Sequence, residues 1–420
     1  MKMAPINRSN GPVNVFKAVR DNEFAAILES LSGPEHKSRF SIVAWGKRNR
    51  VALSSRNRDG IEALRRAILR ANRYEVPLFS GGLIGYVSFE AVSIFEDSLD
   101  LREPGNGWNY LDFVEPENVA VYDHVSGTVY YNEMPNPRDS EVSLSLSLMR
   151  ESPDDSGYMR GVEKIKDLIY RGYTFQTVLS KMYEYRIEGD ALRFYERLRS
   201  LNPSPYMFYI KMGDHEIIGS SPEMLFKTTA GHVETYPIAG TRSRGSNDYE
   251  DVKLEMELMS SEKDRAEHLM LVDLARNDLG KVCVPGTVRV PELMFIEKYS
   301  HVQHLVSRVV GILDVRRDAL DVLEAMFPAG TVSGAPKPIS IRILSELEEE
   351  PRGPYAGAVG FFSANGDSEL AITIRSGFSD GSTFRIQAGA GVVYDSTPLG
   401  ELNEVKQKLM ALRVAMGVGT

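Results

Sequence analysis

Two consecutive helices are predicted for the stretch from Lys253 to Lys281, which constrains the fold more than any other part of the sequence. Apolar residues recur through this stretch at the spacing of one helix face: Leu254, Leu258, Leu269 and Val272. The pattern is interrupted at Ser260 and Ser261, and Gly280 stands where a left-handed residue commonly ends a helix. We therefore expect two helices joined at the serine pair.

The second of these helices carries an acidic stripe. Asp264, Glu267 and His268 fall at i, i+3 and i+4, so that two carboxylates and an imidazole share one face. Asp264 also completes a capping box with Ser261, and in that interpretation it serves only to begin the helix. The sequence alone leaves both interpretations of Asp264 open.

A second pair of acids with the same spacing occurs far downstream. Glu401 and Glu404 lie on a helix that is predicted to begin after Pro398. Two such pairs facing each other would repel unless a cation lay between them. Carboxylate oxygens with no cysteine nearby favour Mg²⁺ over zinc. The two acidic pairs together therefore predict a magnesium site.

The composition is that of an ordinary globular chain and excludes several classes of function. The chain has 420 residues, 42 % hydrophobic and 25 % charged, which is enough for one large domain or two interleaved domains. Its single cysteine, Cys283, excludes an internal disulfide and suits a reducing cytoplasm. The sequence has no signal-peptide core and no run of about 18 apolar residues, so we expect neither export nor a membrane span.

A net charge of −9, without a basic arm, argues against a nucleic-acid partner. If the substrate is also an anion, its site must supply positive potential through a metal ion, basic side chains or backbone N–H groups. We therefore look for Arg, Lys and glycine-rich backbone near the acidic pairs.

The best candidate for a domain boundary is the stretch 132–157, which is rich in Pro, Ser, Asp and Glu. A long strand, YTFQTVLSKMYEYRI, follows it, and Gln176 is a polar residue among apolar neighbours there. The simpler interpretation places Gln176 on an exposed face. Glu223 follows a proline in a Ser-rich turn, a position more typical of a helix N-terminus than of a catalyst.

Other polar residues carry weaker signals. Arg242 and Arg244 are expected to be solvated, and nothing near Cys283 would activate its thiol. His301 and His304 fall at i, i+3 on a predicted helix, but the HExxH spacing of a zinc site is missing. Gly389 and Gly391, in the run RIQAGAGVVYDS, would leave backbone N–H groups open to a ligand.

No GxSxG elbow, Walker A loop, CxxC pair or cysteine–histidine pair is present, so covalent acyl chemistry has no visible agent. The residues by themselves predict a Mg²⁺-dependent enzyme that acts on a small molecule bearing carboxylates.

Eight ordered motifs resemble those of the chorismate-utilising enzymes, and most closely the anthranilate synthase component I branch of that family. They are SPEMLF, YPIAGTRSRG, AEHLMLVDLARNDLGKVC, YSHVQHLVSRVVG, GTVSGAPK, YAGAVG, AITIRS and QAGAGVVYDS. The resemblance implies an α+β fold of two orthogonally packed antiparallel sheets flanked by helices. It also implies residues 1–150 as a regulatory segment interleaved with the catalytic part, and residues 157–420 as the chorismate-binding catalytic domain.

The resemblance further implies a Mg²⁺-dependent attack on C2 of chorismate with loss of the C4 hydroxyl. At the positions that match the metal ligands of the family, this chain has four acids: Asp264, Glu267, Glu401 and Glu404. Glu223 would protonate the departing hydroxyl, a role that needs a carboxyl kept neutral by its surroundings. His304 would lie near C2. The positions matching substrate-binding residues are Thr331, Tyr355, Arg375, Gly389, Gly391 and Lys408.

Two positions select among members of the family. Water-adding members have a lysine where this chain has Gln176, and members that form the p-aminobenzoate precursor usually have one where this chain has Ala239. Neither amine is present here, so the resemblance implies that ammonia attacks, giving anthranilate and pyruvate. The alternatives are aminodeoxychorismate synthase component I and a non-catalytic amino-acid sensor. Because Cys283 lacks a GxCxG turn, ammonia is expected from a separate glutamine amidotransferase subunit, component II.

The family also has a site for feedback inhibition by tryptophan. The residues that match it are Glu29, Ser30, Arg39, Asn202, Pro205, Tyr206 and Met207. The alternative is that the two segments carrying these residues simply pack together as the edge of a sheet.

Overall fold

The computed structural model describes residues 1–31, 39–136, 142–299 and 302–418. Its strands are β1 (Lys2–Pro5), β2 (Phe24–Glu29), β3 (Phe40–Trp45), β4 (Asn49–Leu53), β5 (Gly82–Val87), β6 (Leu111–Glu115), β7 (Asn118–Asp123), β8 (Thr128–Tyr131), β9 (Leu144–Ser152), β10 (Gln176–Gly189), β11 (Tyr206–Met212), β12 (His215–Ser221), β13 (Met224–Thr229), β14 (His232–Thr235), β15 (Ile238–Ser243), β16 (Arg289–Lys298), β17 (Val302–Ile312), β18 (Gly334–Ala335), β19 (Ala358–Ser363), β20 (Ser368–Ile372), β21 (Ser376–Ser379) and β22 (Thr383–Val392).

The α-helices are α1 (Pro12–Val19), α2 (Asp59–Arg70), α3 (Val92–Phe95), α4 (Asp155–Tyr170), α5 (Leu192–Leu201), α6 (Asp248–Ser260), α7 (Glu262–Gly280), α8 (Ala319–Met326), α9 (Gly330–Ser333), α10 (Lys337–Leu347) and α11 (Pro398–Met416). Within the described residues, no helix has both the length and the apolar character needed to cross a bilayer.

The strands of the described segments form two antiparallel sheets flanked by helices, as the family resemblance implies. The first sheet has the order β1-β8-β7-β3-β2-β11-β12-β21-β22-β10-β18, with β9 also paired to β10. The second has the order β15-β17-β14-β13-β20-β19-β5-β6-β4, with β16 also paired to β17.

Strands from the first 131 residues join both sheets. In the first sheet β2 pairs with β11, and in the second β5 pairs with β19. The early strands therefore extend sheets that later strands complete. The linker predicted for 132–157 is wrong in part, because β9 within it pairs with β10 along its whole length; residues 137–141 lie outside the described segments.

The helix pair α6 and α7 confirms the prediction for the stretch from Lys253 to Lys281. Ser261 caps α7, and its Oγ accepts a hydrogen bond from the backbone N–H of Asp264 at 3.2 Å. The role predicted for Gly280 is wrong. Gly280 is the last residue of the helix, and Lys281 after it keeps a right-handed conformation because its N–H bonds back to Asp278 and Leu279.

His304 lies on a strand, so the helix predicted for its segment is wrong. The segment is β17, which pairs with β14, β15 and β16. Its valines, Val302, Val306, Val309 and Val310, are β-branched and suit a pleated surface with neighbours on both sides. His301 lies outside the described residues.

A buried ion pair between Arg352 and Glu348 joins several elements of the fold. The Arg352 guanidinium donates hydrogen bonds to both carboxylate oxygens of Glu348, each at 2.7 Å. It also donates to the carbonyl oxygens of Val178 on β10 and Val332 on α9, again at 2.7 Å. These bonds satisfy a charge whose side chain is only 2 % exposed, and they tie three elements to one point.

The substitution Arg352→Met should lower the free energy of unfolding by about 3–5 kcal/mol, because it leaves the Glu348 carboxylate buried without its partner. The matched control is Arg316→Met. Arg316 pairs with Asp314 but is 83 % exposed, so its loss should cost less than about 1 kcal/mol. Urea unfolding of both variants measures the difference, and equal losses would contradict the assignment of Arg352 as a structural hub.

Candidate active site

The two predicted acidic pairs face each other across the site from α7 and α11. Burial raises the pKa of Glu267, and the negative charges of Asp264 and Glu404 raise it further. Burial also raises the pKa of Glu401, and Glu404 again adds to the effect. Glu404 on α11 therefore acts electrostatically on both helices. The acids predicted from two distant parts of the sequence come together in space.

All four of these carboxylates have side-chain partners in the protein itself, and the partner of Glu401 is Ser396. Arg242 donates to Asp264 at 2.8 Å, Gln176 donates to Glu267 at 2.9 Å, and Lys408 pairs with Glu404 at 2.8 Å. The expectation that Arg242 is solvated is therefore wrong, because the negative charge at the start of α7 attracts it.

The expectation for Arg244 is also wrong, because Arg244 binds both carboxylate oxygens of Asp251 at 2.8 and 2.9 Å. This pair holds the strand β15 to the helix α6. The sequence gives no local signal for it, since Arg244 and Asp251 are seven residues apart across a turn.

Within the described segments, no three His, Cys, Asp or Glu side chains are arranged so that they could hold a metal ion. The donor chemistry of the acidic pairs nevertheless fits Mg²⁺, since all four side chains offer hard oxygen atoms. The raised pKa values of Glu267 and Glu401 reflect the cost of taking these carboxylates out of water, which is the larger cause, and of placing them near other acids. A divalent cation would remove that cost.

Gln176 is buried, only 4 % exposed, and its predicted position on an exposed face is wrong. Its amide nitrogen donates to Glu267, which fixes the orientation of the amide because a carboxylate can only accept. A Cβ atom on Gly391 would lie 2.6 Å from this nitrogen, so the glycine leaves room for the amide. The buried Oε1 of Gln176 has no hydrogen-bond partner within the described residues.

Glu223 lies in the short connection between β12 and β13 and not at a helix N-terminus. Thr331 Oγ1 donates to Glu223 Oε1 at 2.8 Å. Burial raises the pKa of Glu223 to about 7, although the Thr331 hydrogen bond and the charge of Lys408 act in the opposite direction. Near neutral pH the carboxyl therefore holds a proton in a large share of molecules.

Lys408 connects the acidic helices to the backbone of β22. Its Nζ donates to the carbonyl oxygen of Gly389 at 2.8 Å and also pairs with Glu404. A Cβ atom on Gly389 would lie 3.1 Å from the hydroxyl of Tyr355. Tyr355 is buried, which raises the pKa of its hydroxyl and keeps it a hydrogen-bond donor.

His304 and Arg375 line one cavity of about 420 Å³. Thr241 Oγ1 lies 3.0 Å from His304 Nδ1, which fixes the ring. Burial lowers the pKa of His304, and the positive charge of Arg375 lowers it further, so the imidazole is neutral near pH 7. Arg375 has a left-handed backbone, with φ 53°, in the turn between β20 and β21. Strained backbone of this kind is frequent at binding sites.

The predicted catalytic and substrate-binding residues other than His304 and Arg375 are linked in one group, which the charge of Arg375 reaches at Tyr355. Glu267, Gln176 and Gly391 adjoin on one side, and Glu404 and Lys408 lead from them to Gly389 and Tyr355. The charge of Lys408 reaches Glu223 and its partner Thr331. The group combines a buried carboxyl that is protonated near neutral pH with positive charge and open backbone, as an anionic substrate requires.

A larger cavity of about 780 Å³ lies between the two sheets. It is lined by six of the seven residues predicted for the inhibitor site: Glu29, Ser30, Arg39, Pro205, Tyr206 and Met207. The carboxylate of Glu29 is bound by Tyr195 Oη at 2.6 Å and by Arg199 Nε at 2.9 Å on α5. Asn202 instead lines the cavity of His304 and Arg375, and Pro205 lines both cavities.

Sequence reasoning missed Arg352 and Glu348, which hold the elements carrying Thr331 and Tyr355. One local signal was available. Arg352 stands in PRGPY, between a proline and a glycine, with the acid Glu348 four residues earlier. An arginine in such a turn, with an acid four residues earlier, is a candidate for an ion pair.

Comparison with known proteins identifies the family of the chain. The family model described as chorismate binding enzyme matches residues 25–414. Anthranilate synthase component 1 from Saccharolobus solfataricus is 50 % identical over 423 residues, covering 100 % of both chains.

Two solved structures share the fold. The crystal structure of anthranilate synthase component I from Streptococcus pneumoniae has a TM-score of 0.81 at 34 % identity, covering 90 % of this chain and 92 % of that one. The menaquinone-specific isochorismate synthase from Escherichia coli has a TM-score of 0.80 at 20 % identity, covering 99 % of this chain and 94 % of that one, which supports the fold alone. The chain belongs to the family of chorismate-binding enzymes.

Proposed function

We propose that this chain converts chorismate and ammonia into anthranilate, pyruvate and water, as the chorismate-utilising subunit of an anthranilate synthase in the tryptophan pathway. The observation that carries the proposal is the buried Glu223 carboxyl, whose pKa is raised to about 7 beside Thr331. Chemistry that expels a hydroxyl needs an acid that is protonated at neutral pH. The identity of 50 % with a named anthranilate synthase component supports the same activity.

In the first step ammonia forms a bond to C2 of the ring, both ring double bonds shift by one position, the C4 oxygen leaves, and the new ammonium group at C2 loses a proton to give the 2-amino intermediate. Glu223 supplies the proton that turns this oxygen into water. The unpartnered Gln176 Oε1 accepts a hydrogen bond from the attacking nitrogen and orients its lone pair toward the ring. Since an amide is not basic, Gln176 does not activate water, which favours amination over hydration.

In the second step the C2 proton leaves, the bond between the ring and the enolpyruvyl oxygen breaks, and the ring becomes aromatic. The neutral His304 imidazole is suited to take this proton. Arg375, Lys408, Tyr355 and the backbone N–H groups near Gly389 and Gly391 hold the two carboxylates of the substrate. Positioning of this kind removes much of the entropic cost of the reaction.

Mg²⁺ would be held by the oxygen donors of Glu267, Glu401 and Glu404, which suit it. These side chains are not yet grouped as ligands in the described structure, so binding would draw them together. The ion would supply positive charge that offsets these acids and attracts the anionic substrate. Asp264 already pairs with Arg242, so we give it a supporting place at the edge of this group. Burial of Glu267 and Glu401 leaves both side chains in need of such a counter-charge.

Ammonia is proposed to come from a glutamine amidotransferase subunit. Glutamine hydrolysis by such enzymes requires a nucleophilic thiolate. The only cysteine, Cys283, is 5 % exposed, and burial raises the pKa of its thiol to about 11. A buried neutral thiol cannot act as that nucleophile, and it suits the reducing cytoplasm, where we propose that the enzyme works.

The cavity between the sheets is proposed to bind tryptophan as a feedback inhibitor. Phe40, Tyr206 and Phe361 give it apolar walls, and Ser30 and Arg39 give it polar ones, a combination that fits an aromatic amino acid. Pro205 also lines the cavity of His304 and Arg375. A ligand that moved Pro205 would therefore alter the catalytic cavity. Such a ligand would bind the two arrangements of the cavity with different affinities, which is the condition for allosteric inhibition.

The substitution Glu223→Gln should reduce anthranilate formation by about 100- to 10,000-fold, because the amide cannot give up a proton. The assay follows anthranilate fluorescence with chorismate, Mg²⁺ and ammonium chloride. Glu216→Gln is the matched control, since Glu216 is also hydrogen-bonded, to Tyr209, with a raised pKa, and we expect full activity from it. An active Glu223→Gln enzyme, or a product other than anthranilate, would refute the proposed function.

The raised pKa of Glu223 should also make the free energy of unfolding depend on pH. Between the ordinary pKa near 4.5 and the folded value of about 7, the folded chain keeps a proton that the unfolded chain has lost. The contribution of Glu223 to unfolding free energy therefore falls as pH rises through this window, by about 3 kcal/mol in total. Urea unfolding from pH 4 to 8 should show this fall for the wild type relative to Glu223→Gln. Parallel curves would contradict it.

The substitution Ser30→Ala should raise the tryptophan concentration for half-maximal inhibition by about 5- to 30-fold, because one hydrogen bond to the ligand is lost. Turnover without tryptophan should not change. Ser145→Ala, at an exposed position of β9, is the control and should behave as the wild type. Unaltered inhibition in Ser30→Ala would show that this cavity is not the tryptophan site.

A further inference from the structure

A further cavity, of about 370 Å³, lies behind Glu223 between α7, α8 and β13. Glu223 and its hydrogen-bond partner Thr331 form one part of its wall, and Ala275 and Asp278 of α7 form another part. The cavity that holds His304 has other walls. We call the space bounded by Glu223, Thr331, Ala275 and Asp278 the rear cavity. The carboxyl that is proposed as the acid therefore borders a space apart from the one that holds His304.

Asp278 is a second carboxylate in the wall of the rear cavity. Its oxygens accept hydrogen bonds from Lys337 Nζ at 2.7 Å and from Lys281 Nζ at 3.0 Å. Lys337 is buried, and burial lowers the pKa of its ammonium group although the charge of Asp278 acts in the opposite direction. The side chain of Lys281 is 54 % exposed. These contacts fix the Asp278 carboxylate and connect the wall of the rear cavity with the protein surface.

The rear cavity is open to solvent and has room for water. Half-buried residues line it at Leu274, Ala275 and Ala329, so it opens between α7 and the connection from α8 to α9. The hydroxyls of Thr235 and Thr331, together with the two carboxylates in the wall, offer hydrogen bonds to water. A polar cavity of this size holds several water molecules. Water therefore reaches the proposed acid from this side.

The proposed reaction uses the proton of Glu223 once in each turnover. The C4 oxygen takes this proton and leaves as water, so Glu223 becomes a carboxylate, and the next turnover needs the neutral acid again. Substrate and product cover the side of Glu223 that faces the reaction. A proton that arrives from the other side can restore the acid while the site is still occupied, and that side is the rear cavity.

We propose that the rear cavity is a water-filled path by which solvent returns a proton to Glu223 in each turnover, an inference that rests on the proposed function. Each water in the path donates one proton and accepts another. The only net change is that the Glu223 carboxylate regains from solvent the proton that it gave to the C4 oxygen. Asp278, fixed by Lys337 and Lys281, is a positioning residue that orients the waters nearest to it.

The experiment fills the rear cavity with Ala275→Phe and follows anthranilate after rapid mixing with chorismate, Mg²⁺ and ammonium chloride at pH 6.5. Because the pKa of Glu223 is about 7, most chains begin with a protonated acid, and their first turnover should proceed at the wild-type rate. Later turnovers should be slower by about 10-fold or more, since an acid without its proton loses its contribution to the rate. The value of kcat/KM for chorismate should stay within about twofold, because at low chorismate the acid regains its proton between turnovers.

The matched control is Ala325→Phe on α8. Ala325 is half-buried like Ala275 and packs against the same core, but the wall of the rear cavity is formed by other residues. This control should show the same rate in the first and in later turnovers. Thermal unfolding checks that both variants are folded. If Ala275→Phe does not fold, Ala275→Leu fills less of the cavity and should give the same fast first turnover with a smaller fall in kcat.

Two results would overturn the proposal. If Ala275→Phe slows the first turnover as much as the later ones, the new side chain distorts the site and the loss is structural. If Ala275→Phe keeps the wild-type kcat, Glu223 regains its proton from the side that faces the substrate. Failure of the proposed function is a separate outcome, because the wild type would then form no anthranilate with ammonium chloride.

Discussion

The bidentate pair between Arg352 and Glu348 is the interaction on which the site depends. A guanidinium this deeply buried needs hydrogen-bond acceptors, and Arg352 has four, two on a carboxylate and two on carbonyl oxygens of other elements. Glu348 in turn accepts from the N–H and the hydroxyl of Ser180, at 3.0 and 2.7 Å. The strand β10 and the helices α9 and α10 are thus fixed relative to one another before any ligand arrives, which is the preorganisation that catalysis needs.

Several carboxylates lie close together in the candidate site, and the partners that offset their negative charge differ from one carboxylate to the next. Gln176, Arg242 and Lys408 each engage one acid of the group, yet burial still raises the pKa of Glu267 and Glu401. Protein groups alone leave the assembly short of positive charge. The same shortage is the basis of the proposed Mg²⁺ site, and a cation bound there would in turn attract an anionic substrate. The buried cluster of carboxylates is thus the origin both of the electrostatic cost in the free protein and of the proposed affinity for ligands.

The sequence was informative where structure is local and uninformative where it depends on partners from elsewhere. Periodicity and caps predicted α7 and the helix after Pro398, because both signals lie within one turn of the residues concerned. His304 was assigned to a helix because strand neighbours across a sheet leave no local trace. Gln176, Glu223 and Arg242 were misplaced for the same reason: their burial and bonding depend on residues 22 to 108 positions away. The resemblance to a family supplied their roles, which periodicity could not.

The early and the later strands of the chain share both sheets, so the early part cannot be removed without disturbing the rest. The early strands end at β2 in one sheet and at β5 in the other, where they bond to β11 and β19. Removing the early part of the chain would strip both of these strands of a partner at once and create two open edges prone to aggregation. A variant released from the proposed feedback inhibition would therefore need substitutions in the cavity wall, because deletion of the early strands would also disrupt the two sheets.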